Sequence, residues 1–242
     1  MNFAIIVASA RVRSGKTLLA RLLAENFILA GARPALFDTD PVAAPLSARF
    51  PADTIALDLE RVTDQMALFD ELAAEAANSR IVDLSHQSFR RFFDLLLDSE
   101  FVQEARANDV EPVVFYIPGT DAESFQQARL LRDRLGDCPL VLVENAHLGE
   151  IRLSIRHGDD YRSLADSPLR MVVPALDAPY MTLLEEPGLS ISEFVRAPTV
   201  RMAPDMRNEI RSWVVKTLGE IYRVLQSLQR RMPDPRPPSP YR

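Results

Sequence analysis

The chain has 242 residues, of which 47% are hydrophobic and 26% are charged, and it carries a formal net charge of -6. This composition is close to the average for globular proteins and excludes collagen-like, mucin-like and wholly disordered chains. The acidic balance argues against a general polyanion binder. The single cysteine, Cys138, excludes an intramolecular disulfide and a cysteine-rich metal site.

Short apolar runs alternate with longer amphipathic stretches along most of the chain. The runs predict strands at residues 3–8, 34–37, 54–57, 80–83, 112–117, 140–143 and 170–173. The amphipathic stretches predict helices at residues 17–30, 62–77, 89–107, 122–135 and 202–231, with a helical turn at 161–165. Strands and helices that alternate in this way form right-handed βαβ units. We therefore predict an α/β fold with a mostly parallel sheet and helices on both faces.

The last predicted helix is followed by a proline-rich segment. Residues 1–231 are expected to form a single domain that ends in this long helix, and residues 232–242 to form a tail. Five prolines between residues 233 and 242 predict a disordered or polyproline-like conformation. The sequence contains no apolar run of about 18 residues, the length that spans a membrane. It also has no N-terminal secretory pattern, so a cytoplasmic protein is expected.

A glycine–lysine–threonine sequence lies between the first predicted strand and the first predicted helix. Residues 10–17 read ARVRSGKT and match the phosphate-loop pattern G-x-x-x-x-G-K-[ST], with Ala10 in place of the first glycine. Lys16 is one of only two lysines among 28 basic residues, which makes its position informative. In such a loop the lysine contacts the phosphates and the threonine hydroxyl binds Mg²⁺. The segment predicts a phosphate site formed by Arg13, Ser14, Gly15, Lys16, Thr17 and Leu18.

Two other interpretations of this loop stay open. One is a chance occurrence of the G-K-T sequence at the start of a helix. The other is a degenerate loop that binds nucleotide poorly or does not hydrolyse it. The second interpretation is motivated by Arg11, Val12 and Arg13, which stand at positions where flexible glycines are common.

Acidic residues follow two other predicted strands. Asp38 and Asp40 come at the end of the second strand, and Asp83 ends the strand at residues 80–83. Because ligands of open α/β sheets bind at the carboxyl ends of the strands, these side chains are expected to converge on the phosphate loop. Carboxylates there hold Mg²⁺ or orient water, so we predict a metal site of Thr17, Asp40 and Asp83. For Asp83 the alternative is an ordinary turn or helix-capping residue.

Together these motifs resemble the ParA/MinD branch of P-loop ATPases, over roughly residues 1–175. The second strand ends in Asp38-Thr39-Asp40-Pro41, which is similar to the D-x-D-P of that family. The similarity is strongest to the TraL-like group of conjugation-associated ATPases. Their D-T-D-P-V-x-A, V-V-D-x-x-x-x-S-F and N-E-x-x-G patterns resemble residues 38–43, 81–89 and 145–149. The resemblance implies a three-layer P-loop NTPase fold, bound ATP and Mg²⁺, slow ATP hydrolysis and dimerisation.

The resemblance also implies roles for individual residues. Asp40 would position or activate the attacking water, and Asp83 would match the Walker B aspartate. Asn145, at the end of a late strand, would read the nucleotide base. Arg11 takes the place of the family's signature lysine and would reach across a dimer interface to the partner's phosphates. The predicted catalytic residues are thus Lys16, Asp40 and Arg11.

The chain departs from the family pattern within the phosphate loop. Val12 and Arg13 replace two glycines, and Arg11 replaces the signature lysine. Arginine keeps the positive charge but presents a planar guanidinium instead of a compact ammonium. The bulk of Val12 and Arg13 also bears on how closely two subunits can approach each other.

Three further features of the sequence, which are His86, Cys138 and the last predicted helix, indicate a function less clearly. His86 follows Asp83 by three residues and is either a γ-phosphate sensor or a solvated loop side chain. Cys138 is predicted to be a small buried side chain. The last helix either contacts DNA or an anionic membrane surface or packs its apolar face on the domain. Its region carries Arg201, Arg207, Arg211, Arg223, Arg230 and Arg231.

Functions from different classes fit these motifs. The first is an ATP-dependent switch in which slow Mg²⁺-dependent hydrolysis drives homodimerisation and controls a protein partner or cargo, as in partitioning, positioning or conjugation. The second is a degenerate P-loop adaptor that binds partners through its C-terminal helix and tail without hydrolysing nucleotide. The third is a small-molecule kinase or ligase of related fold, although no second substrate motif supports it.

Overall fold

The computed structural model describes residues 2–75, 78–186, 189–196 and 203–231. The strands in these ranges are β1 (Asn2–Ala8), β2 (Ala35–Asp38), β3 (Thr54–Ala56), β4 (Arg80–Asp83), β5 (Val110–Tyr116), β6 (Leu140–Asn145) and β7 (Arg170–Val173). They form one sheet in the order β3-β2-β4-β1-β5-β6-β7, and every neighbouring pair is parallel.

Helices connect and follow these strands. Before β5 they are α1 (Lys16–Leu29), α2 (Val62–Ala73), α3 (Phe89–Asp98) and α4 (Phe101–Ala107). After β5 they are α5 (Ala122–Leu135), α6 (Leu153–Arg156), α7 (Asp159–Ala165), α8 (Ala178–Leu184), α9 (Ile191–Arg196) and α10 (Pro204–Arg231). A 3-10 turn over Ala146–Leu148 directly follows β6.

The central strand β1 explains why the sheet has two covered faces. Its residues Phe3 to Ala8 are all buried, and it pairs with β4 on one side and β5 on the other. Side chains of a strand alternate between faces, so a strand with two buried faces is a continuous apolar run. Phe3, Ile5 and Val7 belong to one apolar cluster, and Ala4, Ile6 and Ala8 belong to the other.

Each cluster lies beneath its own helical layer. The cluster that contains Ile5 includes buried residues of α1, α9 and α10, such as Leu22, Phe194 and Val214. The cluster that contains Ile6 includes buried residues of α2, α3, α4, α5 and α7, such as Phe92. The predicted three-layer α/β fold with a parallel sheet is therefore confirmed, and the sheet is entirely parallel within the described residues.

The helices differ from the sequence prediction at three places. The predicted helix at 89–107 is two helices, because Ser99 is extended (φ −101°, ψ 161°) and the break turns Phe101 into the core. The predicted helix at 62–77 ends at Ala73, and residues 76–77 lie outside the described residues. The short helices α6, α8 and α9 were not predicted, and α7 is longer than the predicted turn at 161–165.

Two other predictions concern the chain ends. The last helix begins at Pro204, and residue 202, with which the predicted helix began, lies outside the described residues, as does Arg201. The predicted proline-rich tail at 232–242 also lies outside them. Among the residues that the structure describes, no helix is both long and apolar enough to cross a membrane.

Candidate functional site

The predicted phosphate loop connects the carboxyl end of β1 to the first turn of α1. Residues 9–15 form the loop, in which Arg13 and Gly15 have positive φ angles of 51° and 92°. A Cβ atom at Gly15 would lie 2.6 Å from Nδ2 of Asn145, so both the backbone conformation and the space require glycine there. Left-handed residues that alternate with right-handed ones turn successive amides toward one concavity, which is suited to an anion.

Hydrogen bonds to Arg11 hold this loop in shape. The Arg11 amide donates to Oγ of Ser9 (3.1 Å), and the Arg11 carbonyl accepts from Oγ of Ser14 (3.3 Å). The same carbonyl accepts from Nζ of Lys16 at 3.0 Å. The ammonium of Lys16 is therefore folded over the loop and does not extend into solvent. Burial lowers the pKa of Lys16, while the nearby carboxylates of Asp83 and Asp40 oppose that shift.

Thr17 and Asp83 connect α1 to β4 beneath the loop. Oγ1 of Thr17 donates to Oδ2 of Asp83 at 2.6 Å, and Asp83 is only 4% exposed. Burial raises the pKa of Asp83 to about 6, and the negative charges of Asp38 and Asp40 add to this effect. The hydrogen bond from Thr17 and the charge of Lys16 oppose it. Such a carboxylate has a strong electrostatic preference for an additional cation.

Asp38 and Asp40 have different environments although both follow β2. Asp38 is fully buried and accepts hydrogen bonds from the amides of Asp40, Leu46 and Ser47 (3.1, 2.8 and 3.2 Å). Burial nevertheless raises the pKa of Asp38. Asp40 is half-buried, and its Oδ1 accepts from the amides of Val42 and Ala43. Asp38 thus holds the loop that follows β2, whereas Asp40 lies at the open side of that loop.

A cavity of about 140 Å³ lies where the ends of β1, β2 and β4 meet. It brings together five of the predicted site residues with Asp38 and His86, so the expected convergence at the carboxyl ends of the strands is observed. Its charged side chains have both signs, as a site for a metal-bound polyphosphate requires. It is lined by Val12, Arg13, Lys16, Thr17, Asp38, Asp40, Pro45, Asp83, Ser85 and His86.

Three of the predicted residues have other surroundings. The guanidinium of Arg11 is directed to Asp121 and Ser124, near the start of α5, and does not line the cavity. The side chain of Leu18 packs against the core, so only its backbone amide is available to a phosphate. Asn145 donates from Nδ2 to the Ser14 carbonyl (2.9 Å) and accepts the amide of His147 on Oδ1 (3.1 Å).

Asn145 also borders a second cavity of about 140 Å³, beside the phosphate loop. This cavity lies between the ends of β5, β6 and β7 and includes Gly119, Thr120, Glu144 and Arg156 among its lining residues. It adjoins the phosphate loop through Asn145, whose side chain binds the Ser14 carbonyl. The base-reading role of Asn145 stays a prediction, since both ends of its amide are engaged within the chain.

Several residues that organise the site were not predicted. Thr39 is buried and joins the loops that follow β2 and β4: its Oγ1 donates to the Asp83 carbonyl (3.2 Å) and accepts the Ser85 amide (2.8 Å). Asp121 and Ser124 hold Arg11 across a sequence separation of more than 100 residues. The Asp-x-x-Ser spacing before a predicted helix is a capping signal, but it does not indicate a contact with the phosphate loop.

The donor set at the loop fits a magnesium ion. The hydroxyl of Thr17 and the carboxylates of Asp83 and Asp40 are hard oxygen donors, which Mg²⁺ prefers. Within the described ranges, no three His, Cys, Asp or Glu side chains could hold a metal on their own. A P-loop metal does not need such a cage, because phosphate oxygens and water complete its coordination.

The fold and the loop together define a three-layer α/β protein of the P-loop type. No family model matches the chain, and no curated protein matches it. Thirty-three chains of solved structures are similar to it. One is a nucleotide-binding protein from Archaeoglobus fulgidus in complex with ADP, with Co, which has 15% sequence identity and a TM-score of 0.46. That similarity covers 78% of this chain and 90% of the archaeal chain. The class stated here rests on this chain's own parallel sheet and loop geometry.

Proposed function

We propose that the chain is a ParA/MinD-type nucleotide switch, similar to TraL-like ATPases, that binds ATP and hydrolyses it slowly with Mg²⁺ in the cytoplasm. Hydrolysis would be coupled to homodimerisation and to control of a protein partner. The observation that carries this proposal is the contact of 2.6 Å between Thr17 and Asp83, directly beneath a loop over which Lys16 is folded. This arrangement joins a phosphate site to a buried carboxylate that favours a cation.

The chain's own residues have distinct roles in this proposal. Lys16 neutralises charge on the outer phosphates, while the amides of residues 13–18 bind phosphate oxygens at the start of α1. Thr17 and Asp83 would hold Mg²⁺, which supplies charge neutralisation at the phosphates when bound. Asp40, at the open side of the cavity, orients the attacking water.

Exposed apolar side chains in the loops that follow β1 and β2 support contact with a second copy of the chain. Val12 lines the cavity and is 59% exposed, and Val42, two residues after Asp40, is 92% exposed. Exposed apolar side chains near a charged cavity are suited to burial in a protein interface. Dimerisation across this edge would also exclude water from the bound phosphates.

The long C-terminal helix supports a mainly structural role for most of its length. Ile210, Trp213 and Val214 are buried against the domain. The guanidinium of Arg223 binds Glu220 and the carbonyls of Pro168 and Arg170. Contact with DNA or an anionic membrane surface would therefore depend on the remaining exposed cations of α10, including Arg211 and Arg230.

Calorimetric titration tests this proposal directly. ATP, ADP and GTP are titrated with and without Mg²⁺, and phosphate release from ATP is followed separately. Lys16→Ala should abolish both the Mg²⁺-dependent heat and phosphate release. The chain offers a matched control in Lys216→Ala, which removes its only other lysine, an exposed residue of α10. Absence of heat and of any nucleotide-dependent thermal shift in the wild-type protein would rule out the switch.

A second candidate is the degenerate P-loop adaptor, which binds partners but does not hydrolyse nucleotide. It is favoured by the engagement of Arg11 with Asp121 and of Asn145 with Ser14 within the same chain. These contacts occupy two side chains that the switch would use for nucleotide or partner subunit. If the chain is such an adaptor, titration with ATP up to millimolar concentration should release no heat. The wild-type protein and Lys16→Ala should both unfold cooperatively and with the same midpoint, which shows that both are folded.

A further inference from the structure

We infer that Asp121 is a positioning residue of the phosphate loop and acts through Arg11. The inference rests on the proposed nucleotide binding, and it concerns what keeps a glycine-poor loop in a binding conformation. In place of an intermolecular role for Arg11, it assigns the guanidinium to a fixed receptor within the same chain.

The receptor consists of side chains at the start of α5. Arg11 forms an ion pair through Nη2 with Oδ2 of Asp121, and its Nε donates to Oγ of Ser124 at 3.1 Å. Ser124 in turn donates from Oγ to Oδ2 of Asp121 and from its amide to Oδ1, both at 3.0 Å. Asp121 is therefore the N-cap of α5 and the anchor of Arg11 at once.

Gly119 gives independent support for a built receptor. A Cβ atom at this position would lie 2.6 Å from Nε and 2.8 Å from Cζ of Arg11, so the guanidinium lies directly on the glycine backbone. The φ angle of Gly119 is not in the left-handed region, which glycine otherwise explains. A side chain at position 119 would therefore meet both Arg11 and Oγ of Ser124, which lies 2.8 Å from the same Cβ position, and would displace this contact.

The contacts of the Arg11 backbone explain why this anchor matters. The Arg11 carbonyl accepts both Nζ of Lys16 and Oγ of Ser14, and the Arg11 amide binds Ser9. An anchored Arg11 side chain therefore also holds in place the backbone groups that bind Ser9, Ser14 and Lys16. The loop also contains Arg13 in a left-handed conformation, which is unfavourable for a residue other than glycine. The anchor thus holds a backbone that this sequence would otherwise not favour.

The consequence for binding is preorganisation. Loop amides that already point at the phosphate position need no ordering when the nucleotide arrives, and ordering otherwise weakens affinity. Asp121 also lies at the end of the β5–α5 connection, whose residues Gly119 and Thr120 border the second cavity. The anchor thereby connects the phosphate loop to the region that would contain the remainder of a bound nucleotide.

The main variant is Asp121→Asn, because asparagine is also a good N-cap and keeps an acceptor for the Ser124 amide while it removes the charge. The side chains of Arg11 and Asp121 are 54% and 41% exposed, so the ADP dissociation constant of this variant should rise about two- to fivefold. Arg11→Ala and Gly119→Ala should weaken binding similarly. The double variant Arg11→Ala/Asp121→Asn should be no weaker than either single variant, since the two residues act as one unit. Arg11→Lys keeps the charge but loses the Nε contact with Ser124, so its affinity should lie between those of Arg11→Ala and the wild type. In ATP hydrolysis by Asp121→Asn, KM should rise while kcat changes little.

A second measurement does not depend on nucleotide. Amide hydrogen exchange of residues 9–15 in the nucleotide-free protein should become faster in Asp121→Asn. Asp133→Asn is the control, since Asp133 forms exposed ion pairs with Arg129 and Arg132 on the same helix without contact to the loop. The melting temperatures of the two variants should be similar, so that faster exchange reports the loop and not global stability.

The possible outcomes separate this inference from the proposed function. Nucleotide binding by the wild-type protein with unchanged affinity and unchanged loop exchange in Asp121→Asn overturns the inference and leaves the switch intact. Loss of affinity in Arg11→Ala alone also overturns it, because Arg11 would then contact the nucleotide or a partner subunit itself. Absence of wild-type binding removes the switch, and the exchange rates of residues 9–15 then decide whether Asp121 anchors the loop.

Discussion

Thr17 and Asp83 share a hydrogen bond of 2.6 Å between the first turn of α1 and the end of β4. The bond places a hydroxyl donor on a carboxylate that lies near two other carboxylates, Asp38 and Asp40, at the end of β2. Burial and these charges raise the pKa of Asp83 to about 6, from an ordinary value of 3.8. A buried carboxylate with a raised pKa lowers the stability of the nucleotide-free protein when it is ionised, and the same negative charge favours binding of a cation.

Replacement of Asp83 by asparagine should stabilise the nucleotide-free protein at pH 7.5. A carboxyl whose pKa is raised on folding contributes full stability below its unfolded value of 3.8, and this stability is lost as the pH rises through about 6. Asp83→Asn removes that loss, and its Oδ1 can still accept from Thr17. We expect a gain of roughly 1–3 kcal/mol at pH 7.5 that disappears near pH 4, measured by urea unfolding.

The same substitution should weaken binding of Mg²⁺-ATP, because it removes the carboxylate that would hold the metal. Asp70→Asn, on the exposed surface of α2, is the control for loss of one negative charge. Equal stability of wild type and Asp83→Asn across pH 4–8, or unchanged Mg²⁺-ATP affinity, would contradict the role given to this carboxylate.

Removal of the Thr17 hydroxyl should abolish the magnesium dependence of nucleotide binding. Thr17→Val keeps the shape of the side chain but leaves Asp83 without its donor, which should lower stability by about 1–2 kcal/mol at pH 8. Thr17→Ser keeps the hydroxyl and should retain both properties. The measurement is the ratio of ATP affinities with and without Mg²⁺. A ratio in Thr17→Val equal to that in Thr17→Ser would show that the hydroxyl does not bind the metal.

The layered fold and the converging strand ends could be predicted from the sequence because both depend on local patterns. Buried parallel strands are continuous apolar runs such as residues 3–8, and their carboxyl ends meet at one edge of the sheet. This is why the sequence predicts a common site for Lys16, Thr17, Asp40 and Asp83, which line one cavity. The weak periodicity of short helices such as α8 and α9 explains why they were missed.

The partners of Arg11 and Asn145 could not be predicted, because both contacts join distant parts of the chain. Arg11 and Ser124 are separated by 113 positions, and Asn145 and Ser14 are separated by 131. The family resemblance instead assigns Arg11 to a partner subunit and Asn145 to a nucleotide base. The break at Ser99 was missed for a related reason. Tertiary packing of Phe101 against Phe69 favours two helices where residues 89–107 have the composition of one.

The two aspartates that follow β2 should respond differently to substitution. Asp38→Asn replaces one carboxylate oxygen by an amide that cannot accept the buried amides of Leu46 and Ser47, and we expect a loss of roughly 1–3 kcal/mol. Asp40→Asn keeps an acceptor for its own turn, so the unfolding free energy should stay the same. Its phosphate release from ATP should fall about 10–100-fold.

Chemical denaturation and steady-state phosphate release of the two variants separate these roles. The assignment is wrong if Asp40→Asn unfolds as easily as Asp38→Asn. It is also wrong if Asp40→Asn hydrolyses ATP at the wild-type rate, since the water-orienting role would then belong to another group.

Glu25 on α1 should be essential for the packing of α9. Its carboxylate is buried and accepts the amides of Ile191 and Ser192 at 3.0 and 2.9 Å. Beside it, the buried guanidinium of Arg21 donates to the carbonyls of Leu184 and Leu189, and burial lowers the pKa of Arg21 to about 10. Glu25→Gln replaces one acceptor by a donor that faces a buried amide and leaves Arg21 with Glu185 as its remaining nearby negative charge.

We therefore expect Glu25→Gln to lower the free energy of unfolding by about 2–4 kcal/mol, the range for breaking a buried charged network. Hydrogen exchange of α9 should become faster than that of β1. Glu193→Gln, on the exposed side of α9, is the matched control and should change stability by less than about 0.5 kcal/mol. Equal unfolding free energies for these two variants would show that α9 is held by its apolar residues Ile191 and Phe194 and not by the carboxylate of α1.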